Sequence, residues 1–449
     1  MTPALPRLAE VAELLYGGRA LPAVAPVRQH IDTAFIANPA SEAAAAVEAW
    51  ARKSRRARGP IAVGVGSRGI AGIEGLVRST VQALKAAGFA PFIVPAMGSH
   101  AGATGEAQAA TLAGFGITEE TMGVPVQATM DTAEIGEVDG IPVYMDRNVV
   151  ACGGVFLVCR IKPHTDFTGP IESGLSKMCA IGLGKQRGAQ TMHSAGVRGL
   201  REVMPRAAQL AAERGILAGG LAVVENQLDQ TAIVRVIDGP DVGGPIEIDL
   251  LAMAYRLLPR IPFDQLDVLV IDRMGKEISG TGIDSNVINR LRVSGEPEPG
   301  GLKITHVVVL DLTDASHGNA GGIGLADFIT ARLFGKVDLA WTYTNGLTAG
   351  ITGVLRVHLP VILPTDRDAV VAAHSACGRA EGEPVRLAWI QDTLHTETFA
   401  VSEALLPEIQ TREDLDQLDS PGPMPFDANG RLQPLADWMT TSRGAGYQR

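Results

Sequence analysis

Residues 61–100 read IAVGVGSRGIAGIEGLVRSTVQALKAAGFAPFIVPAMGSH. Ile61–Val65 is a β-branched run, Gly66-Ser67-Arg68-Gly69 a loop, and Glu74–Ala87 a helical stretch stopped by Gly88. Phe92–Pro95 is the next strand, and Met97-Gly98-Ser99-His100 the loop that follows it. Strand, helix and strand in that order indicate an α/β architecture with a partly parallel sheet. In such sheets ligands collect beyond the carboxyl ends of the strands. Arg68 and His100 stand in those positions.

The same grammar extends outward. A helix is expected over 40–58, broken by Gly59-Pro60, and another from near Thr104, with Glu106 in its first turn. Short strands are predicted at 124–128 and 141–145, a long helix over Leu200–Arg214 ending at Gly215, and a strand at Leu221–Val224. A second α/β series starts near residue 265, with strands at Leu266–Asp272, Ile304–Leu310, Val337–Trp341, Leu359–Leu363 and Val385–Trp389. GNAGGIGLADFITARLFG reads as a Gly-rich loop opening a helix. Two α/β domains with an active cleft between them follow: 1–262, 263–400, and a tail over 401–449 packing back on the N-terminal domain. The hinge is expected near 255–265, with a second crossing near 395–405.

Bulk properties narrow the function. At 449 residues the chain exceeds one ordinary core. With 46% apolar and 20% charged residues it reads as a soluble globular protein, and a net charge of −10 argues against nucleic acid or a membrane surface as partner. No signal peptide or spanning run is visible, and four cysteines without CxxC spacing suit a reducing cytoplasm. One basic cluster, Arg52-Lys53-Ser54-Arg55-Arg56-Ala57-Arg58, reads as a solvated helix end, with an anion patch as the alternative.

The chemistry concentrates in residues 155–196, VFLVCRIKPHTDFTGPIESGLSKMCAIGLGKQRGAQTMHSAG. An apolar strand, Val155–Ile161, runs into Lys162-Pro163-His164, which puts a third polar candidate at the same sheet edge. Lys177 follows, and then His193. Glycines around His100, Lys177 and His193 let backbone approach a ligand closely. A lysine beside MCAIGLG sits among apolar groups, where it can lose its charge and act as a nucleophile. Lys162, Lys185 and Arg187 read as phosphate or solvent binders. Gly184-Lys185-Gln186 is no Walker loop, Ser173 and Lys177 lack the Ser-x-x-Lys spacing, and Gly64-Val65-Gly66 lacks the acidic partner of a dinucleotide fingerprint.

Taken together, Gly66-Ser67-Arg68, Gly98-Ser99-His100, Pro163-His164, Ser176-Lys177 and His193 resemble, in order and rough spacing, the nickel-pincer lactate racemase family of 2-hydroxyacid racemases and epimerases. The resemblance spans nearly the whole chain. It implies that Lys177 holds a nickel-pincer nucleotide (pyridinium-3-thioamide-5-thiocarboxylic acid mononucleotide with Ni) through a thioamide. It implies that His193 completes the nickel coordination, that His100 and His164 are paired acid/base residues, and that Arg68 grips the substrate carboxylate. Asn289 and Arg292, with Lys276 as an alternative, match second-domain residues that hold substrate. Loading would depend on cofactor-synthesis enzymes. The chain departs from the pattern at Val65, where the family has an acid, and by an insertion around TGPIE between His164 and Lys177. Those departures bear on substrate choice: another hydroxyacid or a sugar acid fits as well as lactate. A non-catalytic carrier of the cofactor or metal, and a zinc hydrolase built on His100, His164 and His193, are the other readings the residues allow.

Overall fold

A computed structural model describes residues 10, 19–66 and 69–442. The strands are, in chain order, β1 (Val24–Gln29), β2 (Pro60–Val65), β3 (Ala90–Pro95), β4 (Thr132–Val138), β5 (Ile141–Asp146), β6 (Val155–Arg160), β7 (Leu217–Glu225) and β8 (Thr231–Asp238). They continue with β9 (Gln265–Ile271), β10 (Lys303–Val309), β11 (Phe328–Thr330), β12 (Val361–Leu363), β13 (Leu387–Ile390), β14 (Thr398–Ser402) and β15 (Leu415–Gln417). The fold is mixed α/β. The chain divides into two compact units, Asp32–Leu258, and Pro259 onward together with the residues up to Ile31.

In the unit Asp32–Leu258 one sheet runs β3-β2-β6-β7-β8, with β4 and β5 forming a separate hairpin. The pairs β2·β3, β2·β6 and β6·β7 are parallel, and β8 returns antiparallel. Period-2 alternation sends Ile61, Val63 and Val65 of β2 to one face, where they meet Phe156, Val158, Leu221 and Val223. The helix Ile73–Ala86 covers that face with Ile73, Leu76, Val77, Val81 and Leu84, a helical-period stripe. The strand predicted at 124–128 is only a single bridge, Ile93 to Val126, because Pro125 has no N–H to extend a ladder.

The other unit holds an eight-stranded sheet, β12-β11-β10-β9-β13-β14-β1-β15. From β12 to β13 neighbours are parallel; β14, β1 and β15 add antiparallel strands. The expected boundaries need correction at both ends. β1, grouped by sequence with the first domain, pairs with β14 and β15 in this sheet. The crossing expected near 395–405 falls inside β14, and the chain passes between units at 31/32 and 258/259. The tail expected against the N-terminal domain instead contributes Leu432, Leu435 and Met439 to this unit's own core, and Trp438 stacks on Trp389 at 5.4 Å.

Two local readings also change. Val337–Trp341 is not a strand: the Asp338 carboxylate accepts the Trp341 N–H at 2.9 Å and starts the helix Leu339–Thr348, so a cap overrides β propensity. The Gly-rich segment before it contains a short buried strand, β11, ahead of the helix Ala331–Gly335. Among the described residues, no helix is long and apolar enough to cross a membrane.

Candidate functional site

The strands β3, β2 and β6 are neighbours, and Val65 pairs with both Pro95 and Val158 near their carboxyl ends. The loops carrying His100 and His164 therefore start from one edge, as does the loop of Arg68, a residue that lies outside the described set. Gly66, at the end of β2, and Gly98, after β3, both reach the segment 175–182. A Cβ on Gly66 would stand 3.1 Å from the Met178 sulfur, and Gly98 N–H donates to the Gly182 carbonyl at 2.9 Å. Gly98 sits at φ 60°, a conformation glycine adopts freely.

His100 is exposed, at the start of a single turn, Ala101–Ala103. Ala101, Gly102 and Ala103 all have left-handed φ, 54°, 64° and 54°. The buried Gln108 amide ties the turn down by donating to Gly98 O at 3.0 Å and His100 O at 3.4 Å.

The His164 loop is organised by a residue that sequence reading passed over. Glu172 is fully buried. One carboxylate oxygen accepts the His164 N–H at 2.8 Å, the other accepts the Gly169 N–H at 2.9 Å, and the Tyr255 hydroxyl donates to both at 3.0 Å. Burial pushes the Glu172 carboxyl above its ordinary range, while those donors and the Lys177 charge pull the other way. The His164 ring packs on Phe167 at 4.8 Å, and its Nδ1 accepts the Asp166 N–H at 3.0 Å. With Nδ1 taken as an acceptor, the neutral ring carries its proton on Nε2.

A second buried carboxylate sets the Lys177 helix. Glu247 accepts the Ser176 N–H at 3.0 Å and the Ser176 hydroxyl at 2.7 Å, and the Gly243 N–H at 3.0 Å. Burial raises this carboxyl too, against the same kind of donors. Gly174 precedes the turn at φ 85°, and a Cβ there would come within 2.6 Å of a Glu247 oxygen, so no larger residue fits. Lys177 is half-buried and leads into a π-helical turn, Met178–Gly182. Turns of that type inside helices recur at functional sites.

The next helix, Lys185–Ser194, carries His193 in its last turn. Lys185, read from sequence as a phosphate or solvent binder, is fully buried instead. Its ammonium lies 2.9 Å from Asp146 and donates to the Pro95 carbonyl at 2.5 Å, which fixes this helix to the end of β3. Burial pulls the Lys185 pKa down, and Asp146 opposes the shift. Arg187 stacks over the Tyr144 ring at 4.1 Å. His193 keeps an exposed edge, yet crowding by protein lowers its pKa first, the Lys177 charge lowers it further, and Asp166 opposes both. The Lys177 charge thus bears on both His193 and Glu172, and Asp166 bears on His193.

In the other unit the proposed substrate contacts are engaged locally. The Asn289 amide donates to the carbonyls of Pro299, Gly300 and Leu302 at 2.9–3.1 Å. Arg292 and Arg290 both pair with Asp327 at 2.7 Å. The Lys276 ammonium donates to Gly280 O at 2.7 Å.

No family model matches the sequence, and no curated protein matches it. Two solved structures show distant similarity. A structural-genomics protein from Thermotoga maritima aligns with TM-score 0.44 and 13% identity over 60% of this chain and 70% of its own. The lactate racemase apoprotein from Thermoanaerobacterium thermosaccharolyticum aligns with TM-score 0.39 and 13% identity over 73% and 74%. Similarity at this distance carries no residue roles across.

Proposed function

We propose that this chain is a 2-hydroxyacid racemase or epimerase working with a nickel-pincer nucleotide bound covalently to Lys177. The observation that carries the reading is the shared neighbourhood of Lys177, His193 and the His164 loop, at the edge where the loops after β2, β3 and β6 meet. The residues suit such a group. Where a side chain would stand at Gly102, beside His100, and at Gly196, near His193, there is open space. Among the described residues, no cluster of three His, Cys, Asp or Glu side chains could hold a metal ion. A metal at His193 would then take its other donors from the bound ligand, which favours this reading over a zinc hydrolase with three protein ligands.

When bound, the group would supply an acceptor for the hydride of the substrate Cα–H and return it to either face of the 2-oxoacid. The chain's own part is proton handling and orientation. The neutral His164 ring carries its proton on Nε2, so to take the substrate hydroxyl proton there it must first move that proton to Nδ1, and to donate from Nε2 it must first be protonated on Nδ1; either change costs the Asp166 bond. His100, at the exposed turn, is then the group that takes the hydroxyl proton in the first direction. Arg68 would anchor the substrate carboxylate through a bidentate pair. Asn289 and Arg292 could serve substrate only by exchanging the partners they now hold.

Co-expression with cofactor-synthesis enzymes followed by intact-mass measurement tests the tether. The expected result is an adduct that Lys177→Ala removes. His100→Ala and His164→Ala should keep the adduct and lose inversion of a hydroxyacid panel followed by chiral chromatography. Neither adduct nor bound nickel in the wild-type chain would overturn the proposal; an adduct with no inversion of any hydroxyacid would make the chain a carrier.

A further inference from the structure

The basic cluster at 52–58 separates into two groups by what its members touch. Arg52 pairs with Glu48 at 3.8 Å along its helix. Arg56 donates to the carbonyls of Gly215 (2.7 Å) and Gly153, closing the amino-terminal edge of the sheet. Arg58 donates to Ala51 O at 2.8 Å and lies over the Phe89 ring at 4.5 Å. Those three are spent on the fold. Lys53 and Arg55 are exposed, and no hydrogen bond or ion pair among the described residues engages either side chain.

Both line a cavity of about 490 Å³. Its walls include Trp50, Leu217 and Pro240, and Asp238 stands at the rim, where its carboxylate accepts the Trp50 indole N–H at 2.8 Å. The volume falls within the range of small-molecule sites, and the lining sets a short apolar wall against Lys53, Arg55, Arg56 and Asp238. The place is also distinct. β7 begins here and β8 ends here, so the cavity lies at the opposite end of the strands from the loops of His100 and His164. In a chain of net charge −10, two adjacent uncommitted cations beside a cavity give a local field of the opposite sign.

We propose that this cavity binds a small phosphate monoester of nucleotide size. Lys53 and Arg55 would grip the phosphate, the ring or sugar body would lie against the apolar wall, and the outer Asp238 oxygen would accept from its hydroxyl or amino groups. The pairing follows from the chemistry: a dianionic head needs charged donors, and Arg matches phosphate bidentately. A bare cation pair at a helix end would serve the helix dipole alone, but Arg55 lies two residues beyond that helix, which ends at Lys53.

The test is titration calorimetry of the full chain with AMP, with adenosine as control. The expected result is saturable AMP binding, adenosine weaker by roughly tenfold or more, and a comparable loss in the Lys53→Ala/Arg55→Ala double variant. Both side chains are exposed, so the variant should keep the wild-type unfolding midpoint in the absence of AMP. Undiminished AMP binding by the double variant would place the nucleotide elsewhere, including at the carboxyl edge, and overturn the proposal. So would adenosine binding as tightly as AMP, or no AMP binding at millimolar concentration.

Discussion

The segment 162–177 hangs on the buried Glu172 and Glu247 and the segment 290–327 on the partly buried Asp327, and the two sets behave oppositely. Glu172 and Glu247 accept hydrogen bonds from backbone N–H groups and hydroxyls, and both are pushed above the ordinary carboxylate range. Asp327 is also driven upward by burial, but His306, Arg290 and the Val307 N–H overcome this and hold it at about 2. Asp272 shows that the unit itself is not the cause. It lies in the same unit as Asp327, yet its carboxylate is bonded by the Trp389 indole at 2.6 Å and the Leu435 N–H at 2.7 Å, and it rises to about 7 through burial. Around Asp327 the hydrogen bonds and adjacent cations outweigh burial; around Glu172, Glu247 and Asp272 they do not. The loops bearing His164 and Lys177 are thus fastened through hydrogen bonds to Glu172 and Glu247, whereas the Arg290–Asp327 scaffold is held by ion pairs.

The largest effect should come from Asp272. Its folded pKa lies above the unfolded value, so its contribution to stability is complete below about pH 4 and is lost as pH rises toward about 7. The shift corresponds to an upper bound of about 4 kcal/mol. Urea unfolding at a series of pH values should show that decline in the wild type and a flatter profile in Asp272→Asn. A wild-type curve that climbs through this window with Asp272 contributing would break the comparison. Asp327→Ala leaves Arg290 and Arg292 without their carboxylate and should cost about 3 kcal/mol in the same assay. Glu172→Gln keeps one acceptor but turns an amide toward N–H donors, which should cost about 2 kcal/mol. Its hydrogen-exchange signature should be confined to 162–173; protection lost evenly across the chain would refute a local fastening role. Ser176→Ala removes only the hydroxyl donor to Glu247, for about 1–2 kcal/mol, with the Lys177 adduct retained.

The parallel core was legible because strand, loop and helix repeat with short spacing: β2, β3, β6, β9 and β10 fall within two residues of their predicted ends. What escaped was long-range. Nothing local to VAPVRQ says that it will pair with residues 398–402 and 415–417. Glu172 sat inside TGPIE, read as an insertion, and Glu247 stands in none of the motifs singled out from the sequence. The signal available was repetition, since both follow the same letters, Gly169-Pro170-Ile171-Glu172 and Gly244-Pro245-Ile246-Glu247. An acid after an apolar Pro-Ile pair can be buried when glycines nearby leave N–H groups without partners. Lys185 misled for the complementary reason: its partners Asp146 and Pro95 lie 39 and 90 positions away, beyond any local pattern.

The seating of β1 between β14 and β15 also sets a timetable for synthesis. The unit Asp32–Leu258 is one uninterrupted stretch and can assemble as soon as it leaves the ribosome. The strand made before it must wait until residues near 417 have emerged, because both its neighbours are among the last strands translated. Until then β1 lacks both of its pairing partners, and its backbone N–H and C=O groups stay open on two edges.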